Sequence, residues 1–361
     1  MSPETIQSPL LTARGLTVGY HLSGGRTRVV LSNIEIELNR GEVVCLVGAN
    51  GAGKSTLLRT LAAMQHPLSG RVEVAGADIA LLSPKERARV VSVVLTDRFD
   101  PGYITVFTLV SLGRNPYTNW AGSLAQEDRL QVDRSLAQVG IEELASRSLP
   151  QLSDGERQKA MIARALAQET PLIILDEPTA FLDVTARADI MQVLLDLSRQ
   201  TGKTVILSTH DLEFALRSAD RMMLIMPNGT LKTGAPEDLV LQGSFSEAFR
   251  SPNVEFDQNR AQFVLKRGMR GKLRVRGEGR ALTWTVHALE RIGYTISSDD
   301  SAAAPSDSAS APIDSAPPLV SVESAGDGYR WELAVRRSGG PVEHSVYDSI
   351  HALADAIRGF G

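Results

Sequence analysis

The sequence predicts an α/β fold with a small α+β appendage at its C-terminal end, on three observations. Short apolar runs alternate with helical patterns through the middle of the chain, a glycine-rich strand-to-helix turn lies near residue 50, and a Ser/Ala/Pro/Asp-rich stretch at 297–318 is flanked by small strand and helix patterns. Strands alternating with helices imply a sheet whose faces are covered by helices. At 361 residues the chain is long enough for two or three domains and a sizeable core.

Taken in order, "LTARGLTVGY", "RVVLSNIEIEL" and "GEVVCLVG" read as short β-rich runs joined by Gly-containing turns, hairpins that feed a central strand. Cys45, the single cysteine, sits in the last of these runs and reads as a small buried hydrophobe in a reducing compartment. From about Pro101 to Gln151, "TVFTLVSLGR" and "EDRLQVDRSLAQVGIEELA" repeat apolar residues at helical spacing. A helix from Gly155 leads into "PLIILDEP", a run short and apolar enough to be a buried parallel strand. The helix "ARADIMQVLLDLSRQ", the strand "TVILSTH", the helix "LEFALRSA" and the strand "RMMLIM" come next.

The main domain is set at residues 8–255 and the appendage at 256–361. Within the appendage, residues 297–318 are rich in Ser, Ala, Pro and Asp and read as a disordered insertion, since they bury too little apolar surface to offset ordering entropy. The basic run 265–280 is open to three readings, of which a solvated strand pair comes before a nucleic-acid patch or an anionic-lipid surface. Trp284 and His287 share a helical pattern with Leu289 and Ile292, so core packing is their default explanation.

Function classes narrow quickly. A net charge of -4 argues against nucleic acid as the main partner. No apolar run reaches the roughly 20 residues needed to span a bilayer. The opening "MSPETIQSPLLTARG" lacks the layout of a signal peptide, which places the chain on the cytosolic side.

The chemistry begins at "CLVGANGAGKSTLLRTL", where Gly48, Gly53, Lys54 and Ser55 satisfy G-x-x-x-x-G-K-[ST] between a strand and a helix. Across Gly48, Ala49, Asn50, Gly51, Ala52, Gly53, Lys54, Ser55 and Thr56, curled backbone N–H groups and a helix start suit phosphate oxygens. Lys54 would reach the β- and γ-phosphates, and Ser55 would ligate Mg²⁺. In "PLIILDEPTAFLD", Asp176 and Glu177 fall at the carboxyl edge of the sheet, where ligands sit in open α/β folds. Asp176 would hold Mg²⁺, and Glu177 would orient or deprotonate the water that attacks the γ-phosphate. His210 comes after another apolar strand at the same edge, within reach of that phosphate.

The ordered set "GANGAGKST", "LSDGERQKA", "LIILDEPTAFLD" and "STHD" resembles the ATP-binding subunits of ABC transporters over roughly residues 10–250. The resemblance implies a P-loop NTPase of ABC type, with a mixed central sheet, an N-terminal antiparallel β subdomain and a helical subdomain at about 97–155. It implies that "LSDGERQKA" is the signature segment, whose Ser153, Gly155 and Glu156 meet the γ-phosphate held by a second copy of the chain. Asp154 and Glu156 stand where the family usually has glycine and glutamine, and the same residues also make a capping box. By the same resemblance Tyr20 stacks on adenine and Asp183 belongs to a loop that communicates across the dimer. Thr96 occupies the position of a glutamine that usually contacts Mg²⁺, with Asp97 beside it as a substitute.

"ITVFTLVSLGRNPYTNW" is similar to importers of iron chelates, haem and cobalamin through Gly113, Arg114, Pro116 and Tyr117, although helix packing explains the same residues. The implied assembly is a homodimer on the cytoplasmic face of the membrane, bound to a separate integral permease and served by an extracytoplasmic substrate-binding protein. Its cofactors are ATP and Mg²⁺. A non-transport ABC ATPase and a weakly hydrolysing regulatory module are the competing readings. The appendage is taken as a regulatory or dimer-stabilising module.

Overall fold

The computed structural model describes residues 8–95, 102–118, 122–258, 260–266, 270–298, 317–325, 328–336 and 341–359. The chain divides into two compact units, 1–264 and 265–361. The first opens with β1 (Leu11–His21) and β2 (Thr27–Leu38), an antiparallel pair, then β3 (Val43–Val47) and α1 (Lys54–Leu61). Next come β4 (Ser69–Val74), β5 (Ala77–Asp78), α2 (Pro84–Arg87) and β6 (Val91–Val94). The helical stretch holds α3 (Val106–Ser111), α4 (Gln126–Val139) and α5 (Asp154–Ala167). After it the chain alternates through β7 (Leu172–Leu175), α6 (Val184–Thr201), β8 (Thr204–Ser208), α7 (Leu212–Ser218), β9 (Arg221–Ile225) and β10 (Leu231–Gly234). Two short helices, α8 (Pro236–Leu241) and α9 (Ser244–Ala248), precede the hairpin β11 (Val254–Asp257) and β12 (Gln262–Leu265).

Two sheets organise this unit. The antiparallel one has the order β2-β1-β4-β5, and the central one β10-β9-β3-β8-β7-β6, parallel except for the edge strand β10. Every residue of β3, β7 and β8 is buried, as expected of parallel strands covered on both faces. Alternation along a strand then feeds two cores. Cys45 packs with the helical stretch, whereas Val44 and Leu46 pack with the antiparallel sheet. Burial pushes the Cys45 thiol up to about 12, which matches its reading as an inert core residue.

Arg114 locks the helical stretch together. It is 6 % exposed, and its guanidinium donates to Asp128 at 2.9 Å, to the Ala167 carbonyl at 2.7 Å and to Glu169. The Tyr117 ring lies 4.1 Å from the Arg114 guanidinium carbon and 5.2 Å from that of Arg89. Gly113 is required by sterics, since a Cβ there would fall 2.2 Å from the Arg164 carbonyl oxygen. In the structure, then, Gly113, Arg114 and Tyr117 serve packing.

The first unit extends past the boundary expected at residue 255. Phe256 of the hairpin stacks on Phe245 at a centroid distance of 5.2 Å, Phe263 meets Phe249 edge-on at 5.4 Å, and this aromatic cluster carries β11 and β12 with the core of the first unit.

The second unit is built from β13 (Gly271–Arg276), α10 (Gly279–Arg291), β14 (Tyr294–Ser298), β15 (Leu319–Ala325), β16 (Gly328–Arg336), β17 (Val342–Tyr347) and α11 (Ile350–Arg358). Its sheet order is β14-β13-β15-β16-β17. Within the basic run the described residues hold the end of β12, the strand β13 and the start of α10; β13 pairs with β14 and β15 rather than with β12, and has Leu273 and Val275 buried and Lys272 and Arg276 exposed. Trp284 and His287 do not pack in the core: Trp284 is 63 % exposed, and the buried face of α10 is Ala281, Thr285, Ala288 and Leu289. The buried tryptophan is Trp331, whose indole N–H donates to Thr285 at 2.7 Å. The expected insertion falls mostly at 299–316, outside the described residues.

Replacing Arg114 with alanine strands Asp128, itself 6 % exposed, and should cost about 3–5 kcal/mol in chemical denaturation. Arg217→Ala, which breaks the exposed pair with Glu213, should cost no more than about 0.5 kcal/mol in the same assay.

Candidate functional site

Three neighbouring strands deliver the site to one edge of the central sheet. Leu46 of β3 pairs with Ser208 of β8, and Leu175 of β7 with Leu207 of β8, so the chain leaves all three strands at nearly the same level. The candidate chemistry sits just beyond the three strand ends: residues 48–56 after β3, the pair Asp176 and Glu177 after β7, and His210 after β8.

The phosphate loop is shaped by glycine. Gly53 stands at φ 106°, and a Cβ there would meet Val30 Cγ1 at 2.4 Å, so no other residue fits. Lys54 begins α1, 6 % exposed, and its Nζ donates to the carbonyls of Gly48 at 3.0 Å and Ala49 at 3.3 Å. Burial holds its ammonium below the usual range, while Glu177 and Asp176 pull the other way. Both carboxylates therefore act on the loop lysine through space. Tyr20, 36 residues before Thr56, donates or accepts a 2.7 Å hydroxyl bond with the Thr56 side chain, and the residue is 43 % exposed. That tether sets an accessible aromatic face beside the loop.

Asp176 is 5 % exposed, and its N–H donates to the Val94 carbonyl at 2.8 Å. Glu177 comes next at φ 49°, a left-handed conformation that costs a side-chain-bearing residue roughly 1–2 kcal/mol. Glu177 Oε1 lies 2.5 Å from His210 Nε2. A residue outside every motif joins the pair: the Ser208 hydroxyl donates to Asp176 Oδ1 at 2.7 Å and accepts the Glu177 N–H at 2.8 Å. The signal for it in the sequence is slight, a lone hydroxyl closing the apolar run "VILS". A cavity of about 600 Å³ opens beside Glu177 and His210, bounded by Arg187, Asp211 and, from the hairpin, Gln262 and Phe263.

The donor set fits magnesium. Among the described residues no group of three or more His, Cys, Asp or Glu side chains gathers to hold a metal unaided. Mg²⁺ asks for less, one or two protein oxygens completed by substrate phosphates and water, which the Ser55 hydroxyl and the Asp176 carboxylate could supply. Thr96 and Asp97 lie outside the described residues.

The signature segment forms a separate cluster. Ser153 caps α5, its Oγ accepting the Glu156 N–H at 3.3 Å. In return Glu156 Oε2 takes the Ser153 N–H at 2.7 Å and its hydroxyl at 2.8 Å. These bonds, backbone first, hold the Glu156 carboxyl below its ordinary range, while Asp154 is exposed. A Cβ on Gly155 would sit 3.4 Å from Ala186 Cβ at the start of α6, the helix that Asp183 caps through Ala186 N–H at 2.8 Å. The signature segment and the Asp183 loop are thus neighbours within one chain.

Residues 31–180 match the family model described as ABC transporter, and residues 270–358 the model described as iron ABC transporter C-terminal domain. An uncharacterized ABC transporter ATP-binding protein of Methanocaldococcus jannaschii is 40% identical over 257 residues, covering 71% of this chain and 87% of that protein. The ferric enterobactin transport ATP-binding protein of Escherichia coli is 37% identical over 230 residues, 64% of this chain and 83% of the relative. Among solved structures, an inward-facing ABC transporter assigned to the metal-chelate type aligns at TM-score 0.59 and 25% identity, over 71% of this chain and 96% of that one. An ATP-binding cassette solved as a dimer in a post-hydrolysis state, with ADP and phosphate bound, aligns at TM-score 0.54 and 28% identity, over 63% and 98%.

Ser153→Ala should cost about 1 kcal/mol of stability through loss of the cap. Glu156→Gln keeps an acceptor and removes a negative charge beside the Ser153 hydroxyl, so it should strengthen nucleotide-driven association, read by size-exclusion chromatography with ATP. The cap's ionic part, small at this position, persists above the ordinary carboxyl value of 4.5 and is lost as pH falls below it.

Proposed function

The chain belongs to the ABC transporter ATP-binding protein family, and from that premise we propose that it energises the import of an iron chelate through a separate membrane permease. It is a nucleotide-binding ATPase of the transport class, and no helix among its described residues is long and apolar enough to cross a membrane. Haem and cobalamin are the other cargoes of the same importer group. Iron is favoured because the second unit matches a model described for iron transporters and because a relative 37% identical over 230 residues carries a ferric chelate in its name.

The observation that carries the catalytic reading is the convergence of Lys54, Asp176, Glu177 and His210 at one sheet edge, cross-connected by hydrogen bonds and charge. Backbone N–H groups of residues 48–56 and the Lys54 ammonium bind the β- and γ-phosphates. Ser55 and Asp176 hold Mg²⁺, which when bound neutralises charge on the phosphate oxygens. Glu177 takes the proton of the water that attacks the γ-phosphorus as the bond to the β-phosphate oxygen breaks, and His210 fixes the direction of its carboxylate. Tyr20 supports the adenine by stacking.

Ser153 and Gly155 serve the γ-phosphate of a second copy in a homodimer. A helix start with a hydroxyl and a small residue is an anion-binding device that needs no catalytic side chain of its own. The dimer sits at the cytoplasmic face of the membrane on the permease, with an extracytoplasmic binding protein delivering cargo.

Two measurements test these assignments. Glu177→Gln should retain ATP binding, lose at least about 100-fold in turnover, and abolish uptake of a radiolabelled ferric chelate in cells. ATP turnover at the native rate would remove Glu177 from the mechanism. For Thr96 and Asp97, proposed to share the role usually played by glutamine, at least one of Thr96→Ala and Asp97→Ala should reduce both transport and transport-coupled ATPase activity. Native rates in both variants would end that assignment.

A further inference from the structure

Ser208 closes β8 and is fully buried, between β3 on one side and β7 on the other. A serine hydroxyl carries one hydrogen and two lone pairs. Here the hydrogen points to Asp176 Oδ1 at 2.7 Å, and a lone pair takes the Glu177 N–H at 2.8 Å. One hydroxyl therefore grips the side chain of one carboxylate and the backbone of the next. Two residues further on, His210 meets the carboxylate of the same Glu177. The segment 208–210 thus holds Glu177 at both ends, its amide through Ser208 and its carboxylate through His210.

We propose that Ser208 is a positioning residue for ATP hydrolysis, setting Asp176 for the metal and Glu177 for the attacking water through a single hydroxyl. The inference rests on the roles given above to Asp176 and Glu177. Glu177 needs such support because φ 49° is unfavourable for any residue with a Cβ, and such conformations persist where surrounding bonds over-determine them. The Ala180 N–H bond to the Glu177 carbonyl at 3.0 Å restrains the far side, and Ser208 restrains the near side. The sheet supplies the rigidity: Ser208 is in register with Leu46 of β3, the strand that runs into the phosphate loop, so its Oγ is fixed relative to that loop.

The test measures binding of a non-hydrolysable ATP analogue across a Mg²⁺ titration, alongside kcat, KM and thermal stability, in the full chain. Ser208→Ala should raise the half-saturating Mg²⁺ concentration about 10-fold and lower kcat about 10- to 100-fold. Its affinity for the analogue without Mg²⁺ should stay within about twofold of native, since the phosphate loop is untouched. Ser208→Thr, which keeps the hydroxyl, should recover most of the loss, whereas Ser208→Cys, similar in size but a weak hydrogen bonder, should resemble alanine. A native Mg²⁺ dependence in Ser208→Ala, with any fall in kcat matched by lost thermal stability, assigns Ser208 to packing and overturns the proposal. Glu177→Gln separates the two levels of inference. If it hydrolyses ATP at the native rate, the role of Glu177 fails and the proposal falls with it. If it is inactive while Ser208→Ala retains native Mg²⁺ dependence and turnover, the Ser208 inference alone is overturned.

Discussion

A parallel sheet buried on both faces leaves its polar chemistry one place to emerge, the ends of its strands. β3, β7 and β8 expose nothing along their length, and residues that alternate along each strand belong to two different cores. The carboxyl edge is where the backbone turns and its N–H groups come free, and there the phosphate loop, the two carboxylates and His210 are presented together. Register does the alignment: because Leu46 pairs with Ser208 and Leu175 with Leu207, groups more than a hundred residues apart in sequence share one level.

Charge inside the first unit is placed where it is answered. Arg114 is enclosed by Asp128, Glu169, a carbonyl and an aromatic face, so its desolvation is offset by several directed contacts rather than by one ion pair. Lys54 is half-answered by loop carbonyls and by the field of two carboxylates, which leaves an ammonium suited to added phosphate charge. The contrast separates a cation enclosed by carboxylates from one held mainly by loop carbonyls, although both are buried.

The signature segment closes its own helix start with a reciprocal cap. Ser153 and Glu156 satisfy each other's polar groups within the chain, and the carboxylate lies against the Ser153 hydroxyl. Asp154 is exposed and takes no part in the cap. Of the two acidic residues at this helix start, Glu156 is the one engaged by the cap.

Contiguous features were legible in the sequence alone: the phosphate loop, the Asp176–Glu177 pair, the capping box and the alternation that defines the α/β class each depend on residues a few positions apart. Ser208, the partners of Arg114 and the phase of α10 were not, because each depends on which strand or helix face lies opposite. Trp284 and His287 read as core because they share a helix with Leu289, yet the face that packs runs through Ala281, Thr285 and Ala288, and Trp331 of β16 fills the interior. The hairpin at 254–265 joined the first unit through ring stacking that spans segments, which composition does not register. Local chemistry and periodicity are written along the chain, so the sequence by itself determined what the site can bind. Strand register and aromatic packing are properties of chain segments brought side by side, so the tertiary structure alone decided what holds that site in place.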